Sequence, residues 1–220
     1  MTSPQAGQEQ IATSNPGRRA SISREEILQA TLSLLGPHRS LSSLSLREVA
    51  RATGIAPNSF YRHFNNMDEL AIALIDLAGT TLRRIIGDAR HHATSKDSVV
   101  RTSVDIFMEQ LRSSHKMLHV LLREGSVGSA AFKQAVEREL TFFEAELCSD
   151  LKRLAEKKGT GLYQPELTAR AITRLVFAMG ASAMDLPIDK HPELTHQLSV
   201  MVRMILVGSQ TMSEQKSPRL

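Results

Sequence analysis

The sequence predicts an all-α protein, three short helices followed by a larger helical bundle. Three observations predict it. Apolar residues recur with the helical period along almost the whole chain, no stretch alternates as a half-buried strand does, and helix-start signals precede the periodic segments.

The elements follow in order. Residues 1–20 are polar and lack a signal peptide's apolar core, so they read as a disordered tail. Ser23 and Glu26 form a capping box that starts the first helix, with Ile27, Ala30 and Leu34 on its apolar face and Gly36-Pro37 at its end. A second capping box, Ser45 to Glu48, starts a short helix that stops at Gly54. Pro57 fits the first position of a third helix over 57–64, where its missing N–H costs nothing. Asn66 and Glu69 open a long helix reaching about His92, roughly 40 Å, with Gly79 as a possible bend. Further helices are expected near 98–112, 115–122, 129–157, 165–185 and 192–212. The domain reading is therefore a small unit over 21–66, a bundle over 67–212 and a tail over 213–220.

Composition narrows the function. The chain has 220 residues, 41% of them apolar and 23% charged, ordinary values for a globular protein. No apolar run reaches the ~18 residues of a membrane span, and the single Cys148 excludes an internal disulfide, so a cytoplasmic protein is expected. Residues 1–66 hold seven Lys/Arg against four acids, whereas residues 67–220 hold twenty against nineteen. The basic excess sits at the N-terminal end, as suits a polyanionic partner.

The stretch Leu46–His63, LREVARATGIAPNSFYRH, carries the chemistry. Small Ala50, then Gly54, then large Phe60 stand at the offsets of a helix-turn-helix, with Gly54 at a turn that needs φ > 0. On a helical wheel Phe60 and Phe64 point inward with Pro57 nearby, and Asn58, Ser59 and Arg62 point outward, flanked by Tyr61 and His63. That face is rich in hydrogen-bonding groups and lacks acids. Arg62 suits guanine and Asn58 suits adenine. Ser59, Tyr61, His63 and Arg47 suit phosphate oxygens.

SLREVARATGIAPNSFYRHFNNMDEL resembles the DNA-binding segment of the TetR family of bacterial transcriptional regulators. Further similarity, to the branch that represses unsaturated fatty-acid synthesis, extends through RTSV (101–104), LLRE (121–124), SAAF (129–132) and FFEAEL (142–147). The resemblance implies nine helices, a homodimer through the last two, and repression from a palindromic DNA operator. It implies an apolar effector pocket tuned by a long-chain acyl-CoA or acyl-carrier-protein thioester. It also places Tyr61 and His63 on operator phosphates and Asn58, Ser59 and Arg62 on bases. Many family members have lysine where this chain has Met67, so backbone amides at that helix start are expected to replace the phosphate contact.

In the bundle, Phe107, Leu111, Leu118, Phe132, Phe142, Phe143, Phe177 and Met179 suit a tunnel for an acyl chain, and equally a filled core. Arg101, Arg123 and Lys133 suit an anionic headgroup or plain solvent, and the segment 123–129 suits a gating loop. The last helix is apolar over most of its circumference, which calls for a second cover. Leu175, Leu194, Leu198, Met201, Val202 and Ile205 are the expected dimer residues, a central helix in a monomeric bundle being the alternative. No Ser-His-Asp order, phosphate loop or metal-binding cluster stands out, so no enzyme activity, cofactor or metal is expected.

Overall fold

The computed structural model describes residues 22–36, 39–92, 96–113 and 116–216. Within them lie nine α-helices and no strand: α1 Arg24–Leu34, α2 Leu46–Thr53, α3 Pro57–Phe60, α4 Met67–His92, α5 Lys96–Arg112, α6 Met117–Val127, α7 Ala130–Lys157, α8 Pro165–Ala183 and α9 His191–Lys216. Short 3₁₀ turns at Leu41–Ser43 and Ile188–Lys190 precede α2 and α9. The expected N-terminal tail, Pro37 and His115 lie outside the described residues.

Both expected capping boxes form. Ser23 Oγ accepts from the Glu26 amide, and the Glu26 carboxylate accepts from the Ser23 amide. Ser45 and Glu48 repeat the arrangement at α2. The α4 start follows a variant, in which Asn66 Oδ1 accepts from the Glu69 amide at 2.8 Å while Glu69 reaches back to the Asn65 amide.

Two boundaries in the bundle differ from expectation. The segment 123–129 is not a gating loop, because α6 runs through Gly125 to Val127. Ser126 Oγ bonds the Leu122 carbonyl, and the Gly128 amide closes the helix on the Glu124 carbonyl. At the other end, α9 continues to Lys216, past the expected stop near 212.

One connected apolar core runs from the small N-terminal unit into the bundle. Ile27, Val49, Phe60 and Phe64 belong to it, as do Leu70, Leu74, Phe107 and Leu118. The first turns of α4 serve both parts, so packing does not pause between residues 66 and 67.

A helix-turn-helix face above an apolar cavity

Gly54 adopts φ 68°, the left-handed conformation that closes α2. The Ile55 amide then bonds the Ala50 carbonyl at 3.0 Å and the Gly54 amide bonds Arg51 at 3.2 Å, a Schellman closure. Ala50 is only 4% exposed, so the chain can cross it closely. Pro57 opens α3 without needing an N–H. The helix proper is one turn, shorter than expected. Past Phe60 the chain tightens, with His63 bonding Phe60 at 2.9 Å in an i to i+3 pattern before Phe64 returns to the same carbonyl.

Phe60 and Phe64 are fully buried, with ring centroids 5.6 Å apart. The Arg24 guanidinium lies 4.4 Å from the centre of the Phe64 ring, so α1 clamps the second helix from behind. Pro57, Asn58, Tyr61 and Arg62 are exposed, Ser59 and His63 half-buried, and Arg47 exposed on α2. Tyr61 stands edge-on to Phe60 at 5.7 Å and remains 56% exposed. Glu48, the nearby acid of α2, is held by Arg39 at 2.6 Å. The Arg39 hydrogen bond and those of Ser45 lower its carboxyl to about 2. Met67 is half-buried against the core. Because the Glu69 amide is already taken by Asn66, fewer free amides stand at the start of α4 than the sequence reading supposed.

Joining this unit to the bundle is a buried carboxylate that sequence reasoning missed. Glu124 of α6, 1% exposed, accepts from the Leu41 amide at 2.7 Å and from Ser40 Oγ at 3.2 Å. Burial pushes its carboxyl up, and these hydrogen bonds oppose the shift only in part.

Between α4, α5, α7, α8 and α9 lies an apolar cavity of about 70 Å³. Of the eight expected pocket residues, Phe107, Phe143 and Phe177 line it, the Phe177 ring 5.6 Å from Phe107 and 5.2 Å from Phe143. The others do not. Leu118 and Phe132 are fully buried core, and Met179 packs at the core's edge. Leu111 lines a separate groove with His119 and Met184. Phe142 is 45% exposed with Arg83 stacked 4.9 Å from its ring centre, since neighbours on a helix point about 100° apart and Phe143 takes the inward direction. Arg101, Arg123 and Lys133 stay outside this cavity, and Arg101 pairs with Asp105 on the surface.

Arg90 does line the cavity. It belongs to a chain of alternating charges between α4 and α7, running Glu139, Arg83, Glu146, Arg90, Asp150, Arg153. Gly79 gives this chain room. A methyl group there would overlap the Glu139 carboxylate, so the glycine makes room for it. The heptad spacing of Arg83 with Arg90, and of Glu139 with Glu146 and Arg153, was the sequence signal that could have found it.

The outer surface of α9 corrects the expected dimer face. Leu198 (0% exposed) and Val202 (3%) belong to the protomer's own core, and Leu175, Leu194 and Ile205 pack at its edge. Met201 is 39% exposed. The outward stripe is Val200, Met204 and Val207, with Met204 67% exposed, and Leu167 of α8 is exposed too. Among the described residues no helix is long and apolar enough to cross a membrane.

The short α2, the glycine turn and the acid-free face of α3 form a helix-turn-helix. Residues 27–74 match the family model for bacterial regulatory proteins of the tetR family. That match covers the helix-turn-helix unit and the first turns of α4. The fold extends over the bundle: a transcriptional regulator from Pseudomonas aeruginosa PAO1 superposes with TM-score 0.68 at 16% identity, covering 86% of this chain and 93% of that one. The fatty acid degradation regulator FadR from Bacillus halodurans gives 0.66 at 18% identity over 84% and 95%. AibR, solved with isovaleryl coenzyme A and operator DNA, gives 0.61 at 14% identity over 81% and 97%.

Proposed function

We propose that the protein is a dimeric repressor that binds a palindromic operator and responds to a hydrophobic effector in the bundle. The observation that carries this reading is the joint presence of an acid-free recognition face and an apolar cavity in one connected core. Arg62 and Asn58 read base edges, and Tyr61, His63, Ser59 and Arg47 hold phosphates. Two protomers pair through the exposed apolar stripe of α9 with α8, which sets the two recognition helices one helical turn of DNA apart, roughly 34–36 Å. An effector that favours one spacing shifts the dimer between binding and release.

For the regulated process we propose unsaturated fatty-acid synthesis, with a long-chain acyl-CoA or acyl-carrier-protein thioester as effector. The aromatic, aliphatic cavity supports an acyl guest. So do the neighbours of like fold, one a regulator of fatty acid degradation and one solved with an acyl coenzyme A. The cavity's size, about 70 Å³, favours a second reading in which a shorter apolar molecule is the effector. A long chain needs the walls to part.

Selection of bound duplexes from a random pool, with and without oleoyl-CoA and palmitoyl-CoA, tests the proposal. Enrichment of an inverted repeat, changed by either thioester, is expected. Recovery without a repeat would overturn operator binding as a dimer, and a repeat indifferent to both thioesters would leave the shorter effector. Mass spectrometry of the purified protein identifies any retained guest.

A further inference from the structure

Three polar side chains line the apolar cavity, Arg90, Ser103 and Thr173, and the first two are in opposite states. Ser103 of α5 lies in the wall, and its buried Oγ has no hydrogen-bond partner among the described residues. Buried hydroxyls are nearly always paired, and leaving one unmade costs about 1–3 kcal/mol. Its natural partner is therefore something the described residues do not supply. Arg90, 5% exposed, is by contrast engaged. Its Nε donates to Asp150 Oδ2 at 2.7 Å, and a terminal nitrogen lies 3.8 Å from Glu146. Those carboxylates are matched in turn: Asp150 accepts from Arg153 at 2.7 Å, and Glu146 faces Arg83 at 3.2 Å. The described wall of the cavity thus holds no surplus positive charge.

We infer that the cavity takes an aliphatic ligand that is uncharged inside the protein and carries one hydroxyl or carbonyl group, which hydrogen-bonds Ser103 Oγ. A carboxylate entering the cavity loses its water, meets a cation already shared by two carboxylates and is repelled by both. A hydroxyl or a thioester carbonyl needs only one partner, and Ser103 is that partner. Any phosphates of a larger ligand stay outside. The inference rests on the bundle being an effector domain, and it sharpens that reading by separating neutral ligands from free fatty acids.

Titration calorimetry of the full chain without DNA, at pH 8, tests it with 1-octanol and octanoate as probes. Octanol is expected to bind at least about tenfold more tightly than octanoate. Ser103→Ala should weaken octanol binding by about three- to tenfold, the worth of one net hydrogen bond. The same variant, free of ligand, should melt at or above the wild-type temperature, because an unpaired hydroxyl has gone. Ser103→Thr, which keeps the hydroxyl, should retain most of the affinity. Equal or tighter binding of octanoate, no binding of octanol, or octanol binding indifferent to Ser103→Ala each overturns the inference. Because no operator is involved, these results stand apart from the thioester response of DNA binding.

Discussion

Phe60 never meets solvent, yet it decides where Arg62 points. With its ring and that of Phe64 fixed in the core, the one-turn α3 has no freedom to roll, and Asn58 and Arg62 are carried outward. Phe60→Ala should cost about 3–5 kcal/mol, read as a fall in the denaturant midpoint, and an unaltered unfolding curve would remove the packing argument. Arg62→Ala should leave stability intact and relax base choice at one position of each half-site, by about 1–3 kcal/mol. Unchanged preference in a binding selection would take Arg62 off the bases. These residues were legible because a helical period sorts five consecutive side chains into inside and outside. Ser103 and Arg90 were not, because their meaning comes from a cavity walled by five helices far apart in sequence.

At the scale of elements, α6 reaches the small N-terminal unit through a buried side chain. Glu124 accepts the Leu41 amide and the Ser40 hydroxyl just ahead of α2. Removing it in Glu124→Ala strands the buried Leu41 amide and should destabilise the protein by about 1–3 kcal/mol. Glu124→Gln keeps an acceptor and should do less harm. The pH dependence separates charge from geometry. Burial raises this carboxyl in the folded state, so its ionisation works against folding. The Glu124 contribution is most favourable below the unfolded-state pKa and declines as pH rises through the folded value. Glu124→Gln should abolish that decline in a series of melting curves, and an identical pH profile would show that the carboxyl is not shifted. The helices themselves were legible from caps and periodicity. The α6 end was not, since Gly125 and Gly128 look alike in sequence and only Gly128 closes a helix. Nor was Gly79, which reads as a weak point and is a space for Glu139.

For the whole molecule, the two faces of α9 have separate duties. Leu198, Val202 and Leu206 hold the protomer together, while Val200, Met204 and Val207 stay exposed and in the proposed dimer meet a second copy. The sequence showed that this helix is apolar all round, but not which side its own bundle had claimed. Met204→Glu should therefore yield a folded monomer with weakened operator binding, whereas Leu198→Glu should unfold the bundle. Light scattering and circular dichroism distinguish the two, and a Met204→Glu protein that remains dimeric would exclude this face.

The alternating charges between α4 and α7 have a mechanical consequence. Sliding one helix along the other by a turn would break the two buried pairs, Arg83–Glu139 and Arg90–Asp150, at about 3–5 kcal/mol each. The two helices are keyed like a shaft in a slotted collar. Since α4 starts three residues after Phe64, any slide of α4 along α7 would carry the helix-turn-helix with it, and the keyed charges oppose that slide.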